Sequence, residues 1–335
     1  MAIVSVSSRI SRGYIGNTAA AFAARRLGVD VWEVPTVLWP HHPGHGRPPG
    51  PVTSAKDIDA MLSAFERADW RAQIDLVMTG YFRDVGQVEA TAAFIQRIRE
   101  ARQQFQVLVD PVCGDVRGTY VPADVIEAIK THLIPLADII TPNRFELNVL
   151  TGGEWNENVS LVHAARSLGA ENVAVTSAFG ENLGIGNLLV EPRNATLHET
   201  LSLPDPPHGT GDLFAGVFAT RILKSSAREA LIHAGNTVYR VIEATNLSGH
   251  DELDLAQWND LIDAPPHTGN IVHVRSTNAG QLSGRVGSNA RKSGYRFSVR
   301  HCDHQSNARK SGYRFSVRHC DHQICRTGWM QGRLG

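Results

Sequence analysis

Short apolar runs and longer helical stretches take turns along most of this chain, and that alternation constrains its fold more than any single motif. Ala2 to Val6 has the make-up of a buried strand, and Thr18 to Leu27 reads as an alanine-rich helix closed by Gly28. Val29 to Val34 is a second strand. Helices over Ser54–Ala68, Gln87–Ala101, Asp124–His132 and Leu161–Leu168 then alternate with strands at Leu76–Thr79, Val107–Val109, Asp138–Asn143 and Val173–Ser177. Asn187–Val190 and Ala195–Leu201 read as an antiparallel pair, and helices over Leu213–Leu223, Ala227–Glu243 and Leu253–Ile262 complete the pattern. Apolar strands separated by helices are βαβ units, whose parallel sheet is covered on both faces. The expected fold is a three-layer α/β/α domain with a mostly parallel central sheet and a small lid.

In such a sheet the C-terminal ends of the strands face the ligand crevice. Asp110 and Asp115 follow one strand, in Asp110-Pro111-Val112-Cys113-Gly114-Asp115, and Glu146 opens a helix after the next. A few carboxylates completed by waters and phosphates suit Mg²⁺. The plainer readings are turn initiation for Asp110-Pro111 and a solvated loop acid for Asp115. Cys113 reads as a packed thiol, since no activating partner is visible. The densest signal is Pro206-Pro207-His208-Gly209-Thr210-Gly211-Asp212, directly before an apolar helical run. Glycines there let unpaired N–H groups converge at the positive end of a helix dipole, which favours an anion. Asp212 would sit beside that anion, able to take a proton from an attacking hydroxyl, as phosphoryl transfer requires. The alternative is that Asp212 only caps the helix.

The rest of the sequence narrows the field. The chain has 335 residues, of which 42% are hydrophobic. No apolar run reaches the ~20 residues of a membrane span, and Met1-Ala-Ile-Val-Ser-Val lacks the signal-peptide pattern. Four cysteines do not make a disulfide framework, so cytoplasm is the expected location. Gly13-x-x-Gly16 lacks the full dinucleotide spacing. Residues 35–51 form a dense Pro/Gly loop with His41, His42 and His45, in which the prolines prevent a helical His-x-x-x-His face; a substrate lid or surface loop is the reading, not zinc. Charge divides the chain: residues 267–335 hold 12 of the 33 Lys and Arg but 2 of the 33 Asp and Glu. Residues 288–305 and 306–323 are the same 18-residue string, too polar to build a core and too few copies for a solenoid. Residues 1–266 therefore read as the folded domain, and 267–335 as a basic, disordered extension. Nucleic acid and membrane are not expected partners.

These motifs, in this order, are familiar. The chain resembles a pyridoxal kinase of the ribokinase-like superfamily from about Ile3 to about Ile262, through Gly13-Tyr14-Ile15-Gly16-Asn17, Thr36 with His41-His42, Gly80-Tyr81, Asp110 to Asp115 with Gly118-Thr119-Tyr120, Thr141-Pro142-Asn143-Arg144-Phe145-Glu146-Leu147, Thr176-Ser177 and Gly209-Thr210-Gly211-Asp212. Gly-Thr-Gly-Asp alone marks only the superfamily. The resemblance implies an ATP-dependent phosphotransferase that acts on the 5′-hydroxymethyl group of pyridoxal, and of pyridoxine and pyridoxamine, in vitamin B6 salvage. It implies Asp212 as the base and Gly209, Thr210 and Gly211 as the anion hole. Asp110, Asp115 and Glu146 would organise Mg²⁺ and the phosphates, partly through water. Asn143 and Thr176 would lie near the triphosphate, and Ser177 near the phosphates or a monovalent cation such as K⁺. Ser8 and Thr36 would contact the pyridine ring, Tyr81 would pack on it, and His42 would belong to the loop beside it. A homodimer is implied as well. The departures are Cys113, where Met or Leu is usual, His208 before the anion hole, and Trp39-Pro40 in the loop. The rivals are a hydroxymethylpyrimidine kinase, a sugar kinase and a non-catalytic B6-vitamer binding protein.

Overall fold

A computed structural model describes residues 1–101, 104–181 and 184–274. The chain begins β1 (Ala2–Ile10), α1 (Asn17–Arg26), β2 (Asp30–Trp39), α2 (Ala55–Phe65), α3 (Ala68–Arg71), β3 (Ile74–Thr79), α4 (Val85–Glu100) and β4 (Gln106–Val109). A short ribbon, β5 (Gly114–Asp115) with β6 (Gly118–Thr119), precedes α5 (Ala123–Ala128), β7 (Ile139–Ile140), α6 (Arg144–Thr151) and α7 (Asn158–Ser167). Then come β8 (Asn172–Phe179), β9 (Gly184–Val190), β10 (Ala195–Leu201), α8 (Thr210–Ile222), α9 (Ala227–Ser248), α10 (Asp260–Asp263) and β11 (Asn270–His273). The nine-stranded sheet has the order β11-β10-β9-β8-β7-β4-β3-β1-β2. It is parallel from β2 to β8 and antiparallel from β8 to β11.

The alternation of side chains explains the layers. Val4, Val77, Val107, Val109, Ile140, Val173 and Val175 pack into one buried cluster with α2, α4 and α7 residues. Their neighbours Ile3, Leu76, Leu108, Ile139 and Ala174 pack into the other, with α1, α8 and α9 residues. Period two with both faces apolar forces a helix layer on each side. Every residue of α8 from Leu213 to Thr220 is buried, as expected of a helix enclosed by others. The alanines of α1 allow it to come so close that a Cβ on Gly216 would strike the Ala20 backbone. Strand β3 lies on the opposite side of β1 from β2, so the order reverses between β1 and β3, and ligand crevices form at such switch points.

Three segments differ from the sequence reading. Ser7, Ser8 and Arg9 do not end the first strand, which runs to Ile10. Pro35 to Trp39 is strand rather than loop; proline is tolerated there because β2 is an edge strand. The stretch Leu253–Ile262 is not one helix: only Asp260–Asp263 is helical, although Leu253, Leu255 and Ile262 are buried. Past residue 266 the sheet continues with β11, paired to β10. The duplicated 18-residue string lies outside the described residues. Among the described residues no helix is long and apolar enough to cross a membrane.

Candidate active site

The cap of α8 is Gly209, left-handed at φ 91°. A Cβ there would collide with the Tyr14 carbonyl, so glycine is required both for the turn and for the close approach. Gly211 instead faces open space: a Cβ on it would meet nothing within 4 Å. The first turn of α8 therefore presents its unpaired N–H groups, at the positive end of the dipole, to an open volume. Asp212 lies in that turn, half-buried. Loss of water pushes its carboxyl from 3.8 up to about 6, and the Gly16 backbone N–H pulls it back. Such a group is charged at neutral pH yet basic enough to accept a proton.

Two further carboxylates face it. Asp110 follows β4, Glu146 lies in the first turn of α6, and both are buried. Glu146 and Asn143 form a capping box. Glu146 Oε2 accepts the Asn143 N–H at 2.9 Å, and Oε1 accepts the Cys113 N–H at 2.8 Å and the Gly114 N–H at 3.4 Å. Asn143 Nδ2 donates to the Gly114 carbonyl at 2.8 Å. Burial raises Glu146 to about 7 against those N–H groups, with the charge of Asp212 adding to the rise. Asp110 is raised well above the usual range by burial, then by Glu146 and Asp212, while the Thr141 hydroxyl favours its charged form. The connecting turn holds Val112 at φ 33°, a left-handed conformation that is costly for a β-branched residue. Cys113 is buried and its thiol pushed far up, so it is inert packing.

Asp115 does not join them. It accepts the Arg117 N–H at 2.8 Å and pairs with Arg117 Nη2 at 2.6 Å, which holds it below the usual carboxylate range. Among the described residues no group of three or more His, Cys, Asp or Glu forms a ready-made metal cage. The remaining trio still fits a hydrated divalent cation. No basic side chain is among the groups that shift Asp110, Glu146 and Asp212, so their charge is left for a cation to balance. Mg²⁺ takes one or two protein carboxylates and keeps several waters. Asp110 is the freer ligand, because both oxygens of Glu146 already accept N–H groups.

The strand ends beside α8 supply the other wall. Ser8 and Thr36 are buried. Ser7 Oγ accepts the Tyr81 N–H at 3.1 Å, which ties β1 to the segment after β3 at the switch point. Thr36 Oγ1 donates to the Tyr81 carbonyl at 2.7 Å. The Tyr81 ring lies 5.8 Å from that of Trp39. His42 caps the short turn Pro43–His45 by accepting the Gly44 N–H at 3.0 Å on Nδ1. On the far wall Thr176 pairs with Asn143 in an isolated bridge and donates its N–H to the Pro142 carbonyl at 2.9 Å. Ser177, exposed, has φ 55° where β8 slips register against β9. The structure thus brings Asp110, Glu146 and Asp212 together, sets Asn143 beside Thr176, links Thr36 to Tyr81, and separates Asp115 from the acidic group. Two residues that the sequence reading gave no role belong here. Gly16 steadies Asp212. Tyr120 is half-exposed, but burial of its hydroxyl end and then Glu146, Asp110 and Asp212 push its phenol upward; its place after Gly118-Thr119 was the available signal.

Comparison with known proteins agrees with this geometry. Residues 58–254 match the model of the phosphomethylpyrimidine kinase family. Pyridoxal kinase PdxY of Deinococcus radiodurans is 36% identical over 279 residues, covering 79% of this chain and 94% of the relative. The chain belongs to the pyridoxal kinase family. Another member, pyridoxal kinase PdxY of Rubrobacter xylanophilus, is 34% identical over 273 residues, covering 79% of this chain and 94% of its own. The solved pyridoxal kinase from Leishmania donovani, in complex with ADP and pyridoxine, superposes with a TM-score of 0.77 at 26% identity over 82% of this chain and 99% of that one. The ribokinase-like α/β fold of the family is the fold found here.

Proposed function

We propose that this chain transfers the γ-phosphoryl group of ATP to the 5′-hydroxymethyl group of pyridoxal, and of pyridoxine and pyridoxamine, giving the 5′-phosphate and ADP. The observation that carries the reading is Asp212, a carboxylate raised to about 6 in the first turn of a helix that opens onto free space at Gly211. Asp212 takes the hydroxyl proton as that oxygen bonds to phosphorus and the bond to ADP breaks. The N–H groups of the turn Gly209-Thr210-Gly211 hold the charge on the transferring group, which is where positioned donors contribute most. Asp110 would hold Mg²⁺ directly and Glu146 through water; the cation screens the phosphate charges. Asn143, Thr176 and Ser177 line the triphosphate side, with Ser177 also beside a monovalent cation such as K⁺. Asp115, paired with Arg117, acts on the nucleotide only after that pair opens. Ser8, Thr36, Tyr81 and His42 face the pyridine. A cytoplasmic homodimer, in which the residues beyond β11 are dispensable, belongs to the same reading.

Relatives named pyridoxal kinase match 79% of the chain, beyond the span of the phosphomethylpyrimidine kinase model. That favours pyridoxal over hydroxymethylpyrimidine. The test is ATP- and Mg²⁺-dependent formation of pyridoxal 5′-phosphate, followed by absorbance with wild type and Asp212→Asn. Turnover abolished by the substitution supports the reading. Preference for hydroxymethylpyrimidine or a sugar would keep the mechanism and overturn the substrate. Tight pyridoxal binding without turnover would make this a binding protein.

A further inference from the structure

The turn that carries His42 leaves backbone pairing at Pro40, whose carbonyl accepts the Arg12 N–H at 2.9 Å, and beyond that point side chains fasten it. No residue of Pro43–His45 is buried. At one end the His42 ring lies 4.1 Å from the ring of His208, at an interplanar angle of 32°. Gly44 fits against both rings: a Cβ on it would be 3.0 Å from His208 Nε2 and 3.0 Å from His42 Nδ1. At the other end His45 Nε2 meets Glu252 Oε1 at 2.8 Å, and Arg12 Nη1 donates to the same oxygen at 2.8 Å. Arg12 also reaches Asp251 at 3.3 Å. The backbones of His208 and Glu252 pair in an isolated bridge, so the two fastenings share one support.

His208 is also the residue before Gly209. Its direction is therefore set by the same left-handed turn that opens the N–H cradle of α8. Burial and nearby charges keep both rings neutral. For His42 the neighbours are His208, His45, Arg117 and His41, and for His208 they are Arg117 and His45 against Asp115 and Glu252. Neutral rings stack without the repulsion that two imidazolium ions would bring.

We propose that His208 is a positioning residue for the substrate: through its ring contact it holds the His42–Gly46 turn at the cradle of α8 and so sets the affinity for pyridoxal. The proposal rests on the kinase reading, in which His42 faces that ring. His208 acts through His42 and takes no part in the chemistry. Truncation should therefore raise the pyridoxal KM and spare kcat and the ATP KM, the signature of lost substrate binding.

The full chain is assayed with pyridoxal and ATP, and amide hydrogen exchange over residues 42–50 is followed without substrates. His208→Ala should raise the pyridoxal KM about tenfold, leave kcat and the ATP KM within about twofold, and speed exchange at Gly44, His45 and Gly46 about tenfold. His208→Phe, which keeps a flat ring, should restore both. The double variant His42→Ala with His208→Ala should cost no more than the worse single change. Unchanged exchange in His208→Ala overturns the docking, whatever the turnover. An unchanged pyridoxal KM, an equal effect on the ATP KM, or additive losses in the double variant overturn the positioning role. A wild type that turns over no pyridoxal defeats the kinase reading instead, and exchange alone then decides whether His208 docks the turn.

Discussion

Two turns meet at the mouth of the crevice, and they are held by opposite means. The first turn of α8 is the start of a helix buried on every side, seated against α1 at Gly216 and Ala20. The turn Pro43–His45 buries nothing and rests on ring contacts and an ionic cluster. The difference separates two demands. A base must stay within a few tenths of an ångström of its target, which close packing provides. Under the proposed function the second turn must let substrate in, which a turn that buries none of its own residues permits.

The comparison breaks most visibly at Asp212. Asp212→Asn should lower kcat by about 10³-fold or more and yet raise the melting temperature. A carboxyl raised from 3.8 to about 6 destabilises the native state above that range, by about 1–2 kcal/mol after discounting for partial exposure. The gain should be full at pH 8, mostly lost at pH 4 and absent below both pKa values, where the carboxyl is protonated in the native and unfolded states alike; thermal melts across that range check the sign. Next in size is Gly216→Leu, which forces α8 off Ala20. It should cost about 1–3 kcal/mol by denaturant titration and reduce kcat with it. Arg12→Ala, its counterpart at the exposed turn, takes a donor from the buried Glu252 carboxylate and should cost about 1–2 kcal/mol. In wild type, log kcat/KM should fall with unit slope as pH drops through about 6, because the base must be unprotonated; a profile flat to pH 5 would remove Asp212 from that role. At Val112 the sign reverses: Val112→Gly should stabilise by about 1 kcal/mol by relieving the left-handed backbone, read by the same denaturant titration.

The layers were legible because both faces of each central strand carry apolar side chains at period two, which a single sequence displays. Asp110, Glu146 and Asp212 were legible for a related reason: each follows a strand or opens a helix, where chain order alone determines which way it faces. What escaped depended on partners distant in sequence. Pro35 to Trp39 reads as loop because nothing local tells an edge strand from a central one. The Leu253–Ile262 segment has apolar residues at helical spacing, but Leu253 and Leu255 pack into the core from non-helical backbone. The contact of His42 with His208 joins positions more than 160 residues apart in number, and no periodicity announces it.

Glu146 has one more effect. Because its two oxygens bind the start of α6 and the turn after β4 at once, neither can shift without the other. A ligand that tightens the Asn143 side must therefore draw Asp110 and Cys113 with it. Nucleotide and divalent cation should then enter as a coupled pair, each raising the affinity for the other by the same factor, with Glu146 as the pin through which that reciprocity is transmitted.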